Sequence, residues 1–190
     1  MGRRFARVFA AMIAAVFMIA PARAEYIGSR PEQGIFVVQT QRHTCTLVAT
    51  TMMLRNYANV RDGMYEQVTE SAVRSCAWNS KGLKWDFQIG GVAVLCEHDI
   101  RAAEDKKAYL IRCLRQHPEG IVIYDADAPH AIWLFGYDDE EDTFYCADTT
   151  TDVAGRSIPL NMSILRGDTQ EEKIERLDRI WYIVGDGVLA

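Results

Sequence analysis

The stretch Thr46-Leu47-Val48-Ala49-Thr50-Thr51-Met52-Met53-Leu54-Arg55-Asn56-Tyr57 constrains this chain more than any other. It carries no charge before Arg55, and Leu47, Val48, Thr51, Met52, Leu54 and Tyr57 recur at spacings of three and four. That period belongs to a helix rather than a strand. A helix this apolar has to be wrapped by the rest of its domain. Gln39-Thr40-Gln41-Arg42-His43 precedes it, polar and turn-tolerant, so the helix is expected to begin at Thr44 or Cys45 and to end near Asn59. Cys45 then faces unpaired backbone N–H groups at the positive end of the helix dipole, which favours thiolate over thiol. Gln39, six residues upstream, is placed to aim its side-chain amide at the same point and to complete an oxyanion hole with the Cys45 N–H. Taken alone, a cysteine entering an apolar helix also reads as an ordinary core residue.

Residues 1–24 have the layout of a secretory signal peptide. Arg3, Arg4 and Arg7 form a basic start, Val8 to Ala20 is uncharged and apolar, and Ala22-Arg23-Ala24 offers a cleavage site before Glu25. The apolar run of 13 residues is short for a membrane span. The expected mature protein is therefore a single domain, 25–190, secreted or held in the periplasm or cell envelope, with no membrane association after cleavage. The whole chain is formally −5 and residues 1–24 carry four arginines and no acids, so the remainder stands at −9. Such a charge disfavours nucleic acid and anionic lipid, where cations must neutralise phosphates, and suits basic or neutral substrates.

No repeat or linker divides the domain, and its elements change character along the chain. Ile35 to Val38 reads as a short strand delivering Gln39, Tyr65 to Ser75 as a helix, and Cys76 to Gly91, with Trp78, Trp85 and Phe87, as a structured loop. Gly90 to Leu95 reads equally as helix or strand. Ala103 to Gln116 is a helix with Tyr109, Leu110, Cys113 and Leu114 as its apolar stripe. The C-terminal half turns to strands: Ile121 to Tyr124, then Ala131 to Tyr137 and Thr143 to Ala147 around the acidic turn Asp138–Asp142, and Arg179 to Val184 after a charged surface helix, Gln170 to Arg179. Helices first and antiparallel strands last indicate an α+β domain.

The hairpin supplies partners for Cys45. A turn centred on Asp139 sets Tyr137 opposite Glu141, Ile132 opposite Cys146 and His130 opposite Asp148. Opposed side chains approach to about 5 Å at Cβ. His130 Nδ1–H then donates to Asp148 and leaves Nε2 free to serve a nucleophile.

Gln39 and Cys45 six apart, the apolar helix on the cysteine, then His130-Ala131-Ile132-Trp133-Leu134-Phe135-Gly136-Tyr137-Asp138 and Tyr145-Cys146-Ala147-Asp148 together resemble the papain-like cysteine peptidases. The branch most similar is the bacteriocin-processing (double-glycine) peptidases and their stand-alone relatives. The resemblance implies a papain-like fold in which N-terminal helices carrying the cysteine pack on a C-terminal antiparallel sheet carrying His and Asp. It implies Cys45 as nucleophile, His130 as general base and acid, Asp148 as orienter and Gln39 as oxyanion donor, with Gln41 the alternative for the last role. The expected substrate is a peptide or protein, including a cell-wall peptide, and no cofactor is expected. Members of that branch usually have Gly directly after the cysteine, followed by a small residue or proline, where this chain has Thr46-Leu47, and the Thr46 side chain is expected to narrow the cleft. A catalytically inactive peptide-binding module and a transglutaminase-like acyl transferase are the competing expectations.

His43 is expected on a loop, and His98 and His117 lack partner patterns. No H-E-x-x-H or paired C-x-x-C motif occurs, so no zinc site is expected. Of the other cysteines, Cys113 and Cys146 read as packed thiols. Cys76 and Cys96 flank the tryptophan-rich loop and are the expected pair if a disulfide forms in an oxidising compartment.

Overall fold

The computed structural model describes residues 25–61, 63–150, 152–187 and 189. The expected signal peptide, 1–24, lies outside the described residues. The fold is α+β, with four helices packed on an antiparallel sheet. In chain order the elements are β1 (Tyr26–Gly28), α1 (Cys45–Arg61), α2 (Glu70–Ala77), β2 (Trp78–Asn79), β3 (Gly82–Leu83), β4 (Phe87–Ile89) and β5 (Val92–His98). Then come α3 (Lys106–Gln116), β6 (Ile121–Asp125), β7 (His130–Asp138), β8 (Thr143–Ala147), β9 (Ile158–Pro159), α4 (Gln170–Arg176) and β10 (Arg179–Val184).

The main sheet runs β4-β5-β10-β6-β7-β8-β9, and β1 pairs with the far end of β7 beyond the reach of β6. Both faces are covered. Ala131, Trp133 and Phe135 of β7 pack with Leu47, Met52 and Leu54 of α1 and with Val73 of α2. Ile132 and Leu134 point the other way, into a second core with Leu110 and Leu114 of α3 and Ile174 of α4. The alternation expected of a strand thus appears as two cores, one per face. α1 is buried on consecutive positions from Leu47 to Leu54, as its apolar sequence requires.

Several boundaries differ from expectation for identifiable reasons. Ile35 to Val38 is not a strand: a single helical turn covers Gln33–Ile35, and Val38 is exposed with no strand beside it. The segment 65–75 splits, because Thr69 caps α2 by accepting the Ala72 N–H. The tryptophan-rich stretch holds the β2–β3 hairpin and β4, and 92–98 is a strand. The C-terminal sheet also recruits β1, β4 and β5 from the N-terminal half. The helix 170–179 stops at Arg176 and is not purely a surface helix, since Lys173 is buried.

Candidate active site

Three elements converge on Cys45. The chain enters α1 through a turn in which His43 takes a left-handed conformation, φ 62°, and the Thr44 hydroxyl donates to the Gln41 carbonyl at 2.9 Å. The Thr44 carbonyl accepts the first helical bond, from the Val48 N–H, so Cys45 is the first residue inside α1. Its thiol lies where backbone N–H groups are unpaired and the dipole is positive. β7 begins at His130, and the chain leaves β8 at Ala147 to present Asp148.

His130 bridges the other two groups. Its side chain is near enough to the Cys45 thiol to act on its ionisation, and its Nε2 lies 2.8 Å from Asp148 Oδ1. The nitrogen roles are the reverse of those expected: Nε2 meets the carboxylate, which leaves Nδ1 for the sulfur. The hairpin register is the reason. Trp133 pairs with Ala147 and Leu134 with Cys146, two positions from the expected alignment. His130 pairs across the other edge with Asp125, and Asp148 lies beyond the last pair of β8. The two are diagonal rather than direct neighbours, about 7–8 Å apart at the backbone. The farther ring nitrogen spans that gap. A bulge between Leu134 and Gly136 shifts the rest of the hairpin by one more residue.

Asp148 is fully buried, and each oxygen accepts hydrogen bonds. Oδ1 takes the Thr149 N–H at 2.7 Å, the Thr150 N–H and hydroxyl at 3.3 Å, and His130. Oδ2 takes the Ile164 N–H at 2.8 Å. Burial by itself would raise the Asp148 pKa. The hydrogen bond and charge of His130, with the backbone donors, outweigh it and hold the carboxyl below its usual range. Burial would likewise depress His130, but its bonds to Asp148 and Cys45, and their charges, lift it to about 9. For Cys45 burial raises the thiol, and the bond and charge of His130 together with the backbone amides of Ala131 and Thr46 bring it below its ordinary value. A thiolate–imidazolium pair, held by a buried carboxylate, is the state these groups favour.

Gln39 is tied into the same neighbourhood from the Asp148 side. Its N–H donates to the Thr149 carbonyl at 2.9 Å, its Oε1 accepts the Thr149 hydroxyl at 3.0 Å, and its Nε2 donates to the Gln41 carbonyl at 2.6 Å. One amide hydrogen remains outside these bonds. Gln41 instead offers its Oε1 to Arg74 of α2 at 3.0 Å, so its side chain serves the turn.

From Cys45 an open cleft of about 230 Å³ runs toward the β2–β3 hairpin and β10. Trp78, Trp85, Tyr124 and Trp181 wall it, Lys81 and Arg179 supply cations, and neither Asp nor Glu lines it. Arg179 lies over the Tyr124 ring at 5.0 Å and is held by Asp178 at 2.8 Å. His43 and Thr46 line the mouth. The sequence marked Trp78 and Trp85 only as part of a structured loop, and Lys81 and Arg179 had no distinguishing pattern. His98 packs edge-on against Trp85, and His117 stands against Tyr182 near Glu119; neither lines this cleft. All five cysteines are free thiols, so the Cys76–Cys96 bridge is not formed. Cys76 contacts Ser75 at the end of α2, while Cys96 contacts His98 on β5. Among the described residues no helix is long and apolar enough to cross a membrane, and no three His, Cys, Asp or Glu side chains group to hold a metal ion. No protein-family model, curated protein or solved structure matches this chain.

Proposed function

We propose that this protein is a cysteine-dependent amide hydrolase of papain-like character, acting on peptides outside the cytoplasm. The observation that carries the reading is the relay from Cys45 through His130 to buried Asp148 at the start of a buried helix. The Cys45 sulfur attacks the substrate carbonyl carbon, and the new C–S bond leaves an oxyanion. The Cys45 N–H and the remaining Gln39 amide hydrogen are its proposed donors. As the C–N bond breaks, His130 gives its proton to the departing amine. Water then adds to the thioester, yielding its proton to His130, and the acid leaves as the C–S bond opens. Asp148 keeps the ring oriented and its charge compensated throughout.

The cleft narrows the substrate class. Its aromatic walls fit apolar side chains beside the scissile bond, and its two cations without a lining carboxylate favour an acidic residue over a basic one. That local preference is opposite to the one the whole-chain charge implies. Thr46 at the mouth favours a second reading, a peptide-binding module that does not turn over. A transglutaminase-like transfer would use the same three groups with an amine in place of water. Digestion of a mixed peptide library, read by mass spectrometry with and without a primary amine, separates the three. The proposal expects hydrolysed products that vanish in Cys45→Ala. Intact peptides with both proteins would favour the binding module, and amine adducts would favour transfer.

A further inference from the structure

We propose that Lys173 is a positioning residue for Asp148, acting through the backbone of the Ser163–Leu165 loop. The inference rests on the reading of Cys45, His130 and Asp148 as the reacting groups. Lys173 sits on α4, on the sheet face opposite α1, and is 3% exposed. Its Nζ donates to the Ser163 carbonyl at 3.0 Å and to the Leu165 carbonyl at 2.5 Å. Those two carbonyls flank Ile164, whose N–H is the protein donor to Asp148 Oδ2. The Ile164 side chain is itself half exposed, so its own packing does not fix that N–H. Leu165 is buried and Ser163 bonds back to the Leu160 carbonyl, but neither sets the angle of the peptide between them. The ammonium grips the loop on both sides of the donor.

A buried cation is an expensive clamp. Among the described residues no carboxylate lies within ion-pairing distance of Lys173, and burial lowers its pKa. A leucine or methionine would fill the same space at less cost, if filling were its whole role. The ionisable groups that face it are Cys146 of β8, whose thiol burial keeps neutral, Asp148 beyond β8, and Asp168 and Glu172 around the start of α4. Cys146 and Asp148, two apart in sequence, continue one face of β8, the face α4 covers. This is why a helix remote from the cleft reaches the rear of the carboxylate.

The test is the pH dependence of Cys45 alkylation by iodoacetamide, followed on the Cys45 peptide by mass spectrometry. It needs no substrate. In the wild type the alkylation midpoint should lie well below that of an ordinary thiol. In Lys173→Met a loosened Ile164 N–H weakens the hold of Asp148 on His130. The midpoint should rise by about one pH unit, leaving roughly tenfold less thiolate on the acid side. Loss of the lysine charge alone would also raise it, because imidazolium is present on both sides of this step and a lost cation disfavours thiolate. The combination with a variant that keeps the lysine therefore separates the two: a charge effect adds to the loss of the Ile164 donor, whereas positioning through that donor does not. Ile164→Pro, which deletes the donor, should raise the midpoint similarly, and the double variant should rise no further than the larger single shift. Should Lys173→Met fail to fold, Lys173→Gln, uncharged and shorter, takes its place with the same expectation. An unmoved or lowered midpoint in a folded variant overturns the inference alone. A wild-type Cys45 that titrates like a free thiol overturns the underlying pair, and the inference with it.

Discussion

Cys45, at the cleft, and the buried His130 and Asp148 form a chain in which each group acts on the ionisation of the next. The pH behaviour follows from the signs. Cys45 is held below its ordinary range and His130 is lifted to about 9, so turnover should rise as the thiol ionises and fall as the imidazolium is lost near pH 9. The two limbs belong to the coupled pair rather than to either residue. Because His130 is raised above its unfolded value near 6.5, its contribution to stability is complete below that pH and is lost as pH climbs through about 9. Asp148→Asn tests the arrangement most sharply. Both carboxylate oxygens accept, so an asparagine must turn its NH₂ toward a donor whichever way it is placed. The variant should lose about 1–3 kcal/mol by denaturant unfolding. Its alkaline limb should also fall toward the ordinary histidine value; a limb unmoved from 9 would place the cause of the His130 shift elsewhere.

At the scale of elements, the helix that carries Cys45 was legible because its apolar spacing is long and continuous. It starts at Cys45 and runs two residues past the expected end, to Arg61. The strands 121–125, 143–147 and 179–184 were legible from their β-branched and aromatic residues. The run 35–38 has the same composition, but nothing in four residues says whether a partner strand stands beside it. The hairpin register was lost at the turn, which is centred beyond Asp139, and it changes again at a bulge whose only sequence trace is Gly136 inside an apolar strand. Gly136 is needed there because any Cβ would collide with the Tyr26 hydroxyl, which packs over the bulge from β1. Gly136→Ala should therefore displace β1 and cost about 1–3 kcal/mol. Amide hydrogen exchange should show the loss at Tyr26–Gly28 first; unchanged protection there would mean the bulge does not depend on that close approach. Lys173 was illegible for a different reason. A lysine in a run of Glu and Arg reads as solvated, and only the folded loop over α4 buries it.

For the molecule as a whole, net charge and the charge of the cleft point to different substrates. Residues 25–190 are strongly acidic, yet the cleft beside Cys45 presents Lys81 and Arg179 and no carboxylate. The distribution of charge, not its sum, meets a ligand that enters the cleft. Chloromethyl ketones built on Glu and Gln should therefore alkylate Cys45 at rates differing about tenfold in favour of Glu, the scale of one charge-assisted hydrogen bond. Arg179→Gln should erase that preference while leaving the Gln reagent unaffected, and added salt should reduce it. Equal rates for the two reagents would remove the charge argument and leave the aromatic walls as the sole selectors.

The central claim is that Cys45 carries the acyl group. Its most direct measurement is the mass of the protein quenched in acid during turnover of an acyl-peptide ester. The account predicts a population heavier by the acyl group, mapped to the Cys45 peptide, released by neutral hydroxylamine, and missing in Cys45→Ala. An adduct on another residue, or turnover of the ester by Cys45→Ala at the wild-type rate, would contradict it.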